Sequence, residues 1–164
     1  MSPQISAIAF AKHNHEFCSG GVMEQADRMV RDVGLRLTPV RRRTLEILLE
    51  EHRALGAYDV LERLGQSGFG KQPPVAYRAL EFLVENGLAH RIRRLNAFTA
   101  CMQPGKEHAP TFFICTTCDA VAEAQEQVVS DTLTEAADSI GFQIDRMNIE
   151  AVGTCPACRS EAAG

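Results

Sequence analysis

At 164 residues the chain is long enough for one ordinary domain or two small ones. Its 45% apolar content permits a core, although Trp is absent and Tyr occurs only twice. No apolar run reaches the length of about 18 residues that a membrane span requires, and MSPQISAIAF has no basic leader; the expectation is a cytoplasmic protein without a signal peptide or membrane partner. The net charge of −4 hides a division: residues 1–105 carry 14 Lys+Arg against 11 Asp+Glu, net +3, whereas residues 106–164 carry 3 against 10, net −7. That asymmetry predicts a polyanion-facing part, with arginines clustered at Arg41–Arg43 and at Arg91, Arg93 and Arg94, joined to an acidic part.

Residues 1–20 read as an N-terminal arm, within which HNHEFC offers His13, His15 and Cys18 as possible accessory metal ligands. GVMEQADRMVRDVG then places Val22, Met23, Ala26, Met29, Val30 and Val33 at helical spacing, with Gly34 as the stop. LTPVRRRTLEILLEEH predicts a second helix with Thr38 as N-cap, Pro39 at the first helical position and Val40, Leu45, Leu48 and Leu49 facing inward. GAYDVLERLGQSG gives a short third helix. The fourth, PVAYRALEFLVENG, is opened by Pro73 and Pro74 and closed by Asn86 and Gly87. Its Ala76, Ala79, Leu80 and Leu83 share one face, so Tyr77, Arg78, Glu81 and Glu85 project from the other. GLAHRIRRLNAFTAC reads as a basic hairpin turning at Leu95-Asn96. Helices followed by a basic hairpin, over residues 21–102, are the plan of a winged helix-turn-helix.

Residues 103–110 are turn-rich and serve as a hinge. Residues 111–164 form a small second domain, so the expected fold class is α+β. TFFIC and AVAEA predict strands around the first Cys pair, VVSDTLTEAADSIGF predicts a helix ending at Gly141, and FQIDRMNIEAVG predicts a long strand before CPAC. A unit this small usually needs a metal or a partner subunit to be stable.

Cys115-x-x-Cys118 and Cys155-x-x-Cys158 supply four thiolates, the complement of a closed structural zinc site with sulfurs about 2.3 Å from the ion. A redox pair would instead call for a C-x-x-C at a helix start in a thioredoxin-like setting, which neither pair is expected to have. Spacing alone leaves four further residues open. Cys101 reads as a buried free thiol, His90 as a wing residue near phosphate, and His108 and Glu123 as solvated loop residues. Together they would make a mixed S, N and O donor set that suits zinc.

Several stretches resemble the ferric uptake regulator (Fur) superfamily, and most closely its zinc uptake regulator (Zur) branch. They are LRLTPVRRRTLEIL, GAYDVLERL, KQPPVAYRALEFLVENGLAHRI, FTAC, FFICTTCDAVAE and IEAVGTCPAC, in the family's order over about residues 22–158. The resemblance implies a winged-helix DNA-binding domain, a hinge and an α/β dimerisation domain. It implies a homodimeric, non-enzymatic repressor that binds double-stranded operator DNA when metal is bound and acts on no small-molecule substrate. It assigns one structural Zn²⁺ per chain to Cys115, Cys118, Cys155 and Cys158, and at least one regulatory Zn²⁺ to His90, Cys101, His108 and Glu123. On DNA it points to Arg78 and Tyr77 in the major groove, with Tyr58, Arg41 and the wing residues Arg91 and Arg93 nearby. The chain departs from the family at Val75-Ala76 before Tyr77, and its KEHAP replaces a His-rich run of iron-sensing members. That loss and the thiolate of Cys101 favour zinc over the iron, manganese or peroxide sensing of other members.

Overall fold

The computed structural model describes residues 15–51, 53–105, 109–124 and 127–163. They fall into two compact units, one on each side of residues 106–108.

The first unit opens with α1 (His15–Asp32), which starts six residues before the expected Gly21 and takes up the end of the expected arm. Val22, Ala26 and Val30 are its buried stripe, and Gly34 at φ +74 ends it. Then come α2 (Pro39–Leu49), α3 (Ala57–Gln66) and α4 (Pro73–Glu85). Thr38 stands at the N-cap of α2 with extended φ/ψ, but its hydroxyl caps nothing; its carbonyl accepts from Arg42 N–H at 2.9 Å. Leu45, Ile47, Leu48 and Leu49 are buried there, whereas Val40 is half-buried. Thr44 is tolerated in the core because its hydroxyl donates to the Val40 carbonyl at 2.8 Å.

In α4, Ala76, Ala79, Leu80 and Leu83 are at most 3% exposed, so the apolar stripe faces inward and Tyr77 and Arg78 stand outward. The helix ends in a left-handed glycine cap: Gly87 has φ +69, Gly87 N–H donates to Val84 O at 3.2 Å and Leu88 N–H to Leu83 O at 2.8 Å. The chain then enters the wing, β1 (Ala89–Ile92) antiparallel to β2 (Ala97–Ala100), with Asn96 at φ +46 in the turn. Leu55 and Phe98 exchange two backbone hydrogen bonds, at 2.9 and 2.8 Å, which fasten the wing to the segment ahead of α3. These elements make a winged helix-turn-helix, with α3 and α4 as its helix pair.

In the second unit β3 (Thr111–Cys115) is the central strand, antiparallel to β4 (Val121–Ala124) and parallel to β5 (Ile149–Gly153). The helix α5 (Gln127–Ser139) connects β4 to β5, and α6 (Pro156–Ala162) follows. The long strand expected from Phe142 to Gly153 is cut to its last five residues. β3 is only five residues long, and among the described residues its pairing with β5 runs from Thr111 opposite Ile149 to Cys115 opposite Gly153. Among the described residues no helix is long and apolar enough to cross a membrane.

Candidate metal centre and nucleic-acid face

The strand order brings the two C-x-x-C pairs together. Cys115 ends β3, and a tight turn follows it, with Asp119 at φ +57 donating back to the Cys115 carbonyl at 3.1 Å. That turn returns Cys118 toward its partner. Parallel pairing sets Gly153 opposite Cys115, and Thr116 N–H donates to Gly153 O at 2.8 Å, so β5 delivers Cys155 to the same corner. Cys155 is the N-cap of α6, with Pro156 at the first helical position, and its sulfur accepts from Cys158 N–H at 3.5 Å. The second pair thus stands at a helix start, which is one part of the setting expected of a redox pair and was not anticipated from the sequence.

All four sulfurs lie within 4.8 Å of one another, and Cys118 and Cys155 are 3.8 Å apart. A disulfide would need about 2.05 Å. A tetrahedral ion with Zn–S bonds of about 2.3 Å sets its sulfurs about 3.8 Å apart. The corner is thus shaped for a tetrahedral tetrathiolate ion.

Its electrostatics point the same way. Cys155 N–H, donating to Cys115 Sγ at 3.3 Å, holds that thiol down to about 6. Cys158 is pushed up, first by its hydrogen bond to Cys155. Two thiolates about 4 Å apart repel by roughly 4 kcal/mol at an effective dielectric constant near 20, so four cannot ionise together without a cation. A divalent ion removes that conflict and takes all four as thiolates.

The second set of expected ligands is divided among elements. His90 lies on β1 opposite Thr99, and Cys101 directly follows β2, its N–H donating to Leu88 O at 3.0 Å. Two-residue alternation puts His90 and Cys101 on one face of the hairpin as diagonal neighbours, with a ring nitrogen of His90 within 4.8 Å of Cys101 Sγ. Cys101 is fully buried and His90 half-buried. Glu123, half-buried on β4 opposite Phe112, belongs to the second unit. His108 and His13 lie outside the described residues, and His15 and Cys18 fall in α1, three residues apart.

Of the residues expected on DNA, Tyr58 at the start of α3 is 70% exposed, Tyr77 on α4 is 42% exposed, and Arg78 is exposed beside it. Arg91 donates to Asn96 Oδ1 at 2.8 Å and stands 5.8 Å from the centre of the Phe98 ring; Arg93 is exposed in the wing turn. The Arg41–Arg43 cluster is not the free basic patch that composition predicts. Arg41 lies 3.6 Å over the Phe82 ring and donates to the Arg36 carbonyl at 3.3 Å. Arg42 pairs with Asp27 of α1 at 2.5 Å, and Arg43 with Glu46 and Glu50 at 3.2 and 2.7 Å. Phe82 and Asn96 are supporting residues that sequence reasoning missed. Phe82 is given no part in the sequence reading, and its place under Arg41 is set by how α2 packs on α4.

Comparison with known proteins agrees with this architecture. The zinc uptake regulation protein of Escherichia coli (strain K12) is 35% identical over 140 residues, which cover 84% of this chain and 81% of that protein. A solved structure of a zinc uptake regulator complexed with zinc and DNA superposes with a TM-score of 0.84 at 32% identity, covering 93% of this chain and all of that one. Holo XcZur gives 0.77 at 31% identity, covering 90% and 99%. The model of the ferric uptake regulator family matches residues 32–152. With that match over most of its length, the chain belongs to the ferric uptake regulator family.

Proposed function

We propose that the protein is a zinc-responsive transcriptional repressor that binds operator DNA as a homodimer and controls genes of zinc homeostasis. The observation that carries this reading is an exposed Tyr77–Arg78 pair on the second helix of a winged helix-turn-helix, in a chain whose similar proteins are named as zinc regulators. Arg78 would read a guanine edge in the major groove and Tyr77 a thymine methyl group or the backbone. Tyr58, Arg41, Arg91 and Arg93 would hold the frame on phosphate. Nothing in this role calls for catalysis.

Cys115, Cys118, Cys155 and Cys158 would hold a permanent Zn²⁺ with no position left for water. His90, Cys101, His108 and Glu123 would hold the regulatory ion. Zinc there would be held by soft and hard donors together. The chain's own part is placement: the wing register sets His90 beside Cys101, and burial keeps the Cys101 thiol from other chemistry. Binding shifts the protein toward its DNA-competent form only as far as that form holds zinc more tightly. On this reading residues 1–20 flank the DNA-binding domain of 21–102, 103–110 are the hinge, and 111–164 make the dimer in the cytoplasm.

The dimer reading rests on α5. Of its described side chains only Ala137 is buried, while Val128, Val129 and Leu133 are exposed, as are Ile140 and Phe142 beyond its end and Val152 on β5. Such an apolar surface on so small a unit suits a second copy of the chain.

Arg78→Ala tests the DNA face. With zinc saturating, affinity for a duplex selected in vitro by the wild type should fall by about 1–3 kcal/mol, and preference over a scrambled duplex should narrow. Unchanged discrimination in a binding assay would remove Arg78 from base reading.

A further inference from the structure

Gly65, in the last turn of α3, has no backbone reason to be glycine, because its conformation is helical and not left-handed. In a helix, glycine costs about 1 kcal/mol relative to alanine. What occupies the missing side chain's space is Lys71: a Cβ on Gly65 would stand 2.8 Å from Lys71 Cγ and 3.3 Å from its Cε. The methylene stem of Lys71 therefore lies along α3, and the residue itself is exposed two positions before Pro73 opens α4.

Several cations of the unit are neutralised. Arg42, Arg43, Arg53 and Arg63 all pair with carboxylates within the unit. Among the described residues, Lys71 and Arg78 have no such partner, and they bracket the first turns of the helix that presents Tyr77. A long lysine stem lying along a surface while its ammonium stays in water is ordinary behaviour. Here the notch that Gly65 provides gives the stem one lane.

We propose that Lys71 is a phosphate-anchoring residue of the DNA face and that Gly65 is its positioning residue, the notch that aims the ammonium at the backbone beside α4. The inference rests on the DNA-binding reading above and adds to it a contact that holds the helix at its depth without reading sequence. Lys71→Ala is expected to weaken binding to the selected duplex and to a scrambled duplex by a similar factor, ~3–10-fold. It should also lower the slope of log affinity against log salt by about one. Gly65→Ala should weaken binding in the same sequence-independent way while leaving the thermal midpoint of the zinc-loaded protein unchanged or raised, since alanine is the better helix former. Combined with Lys71→Ala it should add nothing further, because its effect passes through that side chain. An unchanged salt slope in Lys71→Ala, or full additivity in the double variant, would overturn the proposal. Failure of the zinc-loaded wild type to bind either duplex would instead overturn the DNA-binding reading itself.

Discussion

Cys115→Ser is expected to cost each chain one tightly held zinc ion and, with it, the order of the second unit. Cys115 is buried at the end of β3 and accepts the Cys155 N–H, so it joins the two halves of the site as well as ligating. The unit offers little else to hold it. Among the described residues its buried apolar side chains are few and include three alanines, and Ala137 alone is buried on α5. Apparent binding energies of roughly 10–16 kcal/mol for structural zinc exceed what a core of that size supplies. Metal analysis of the purified variant should show one zinc fewer per chain. Sedimentation should show loss of the dimer, and limited proteolysis should open residues 109–163 while sparing 15–105. A dimeric, protease-resistant Cys115→Ser protein lacking that zinc would mean that the four-thiol corner is not what holds the unit.

Cys101→Ser should leave the structure standing and break the response. The backbone bond from Cys101 N–H to Leu88 O does not depend on the sulfur, and serine has nearly the same shape. Burying its hydroxyl costs about 1–3 kcal/mol unless it finds an acceptor, which a stable winged-helix unit should survive. The soft donor proposed to favour zinc would be gone, however. The variant should keep its four-cysteine zinc and its dimer. Its DNA affinity at a zinc level that saturates the wild type should drop by about 10–100-fold, within the range of ordinary allosteric coupling. Isothermal titration of zinc alongside DNA binding separates the two effects. A variant with wild-type DNA affinity would show that Cys101 is only a core thiol.

These two cysteines also show how much of the molecule was legible in its sequence. Both C-x-x-C pairs could be matched from spacing, because a tetrahedral ion demands four donors and the chain offers two knuckles. The corner's helix was missed. Pro156 behind a possible cap was a start signal for α6, but metal spacing already accounted for those residues. In α4 the fit was close, since one apolar stripe, an opening proline and a closing Asn-Gly leave few alternatives. α1 ran further than expected because Gly20 and Gly21, poor helix formers, sit inside it and read as a break. β5 ran shorter because alternation in a sequence does not say how long the neighbouring strand is. The ion pair of Arg42 was invisible for a related reason: Asp27 is 15 residues away from it, and only the packing of α1 on α2 brings it near. That of Arg43 with Glu46, three residues on in the same helix, was open to helical spacing and went unread. Charge counting could not see that two of the three arginines in the Arg41–Arg43 cluster are neutralised by carboxylates.

The central claim is that zinc, through a site containing Cys101, controls DNA binding. Affinity order alone cannot test it, because zinc outcompetes manganese and iron at most sites built from nitrogen and sulfur. The direct measurement is affinity for the selected duplex as a function of buffered free Zn²⁺, Fe²⁺ and Mn²⁺, made with the wild type and with Cys101→Ser, both holding their four-cysteine zinc. The wild type should switch to tight binding at a free Zn²⁺ far below any effective Fe²⁺ or Mn²⁺ level, and the substitution should close that gap. DNA binding that is independent of added metal, or restored equally by iron and zinc in the wild type, would contradict the account.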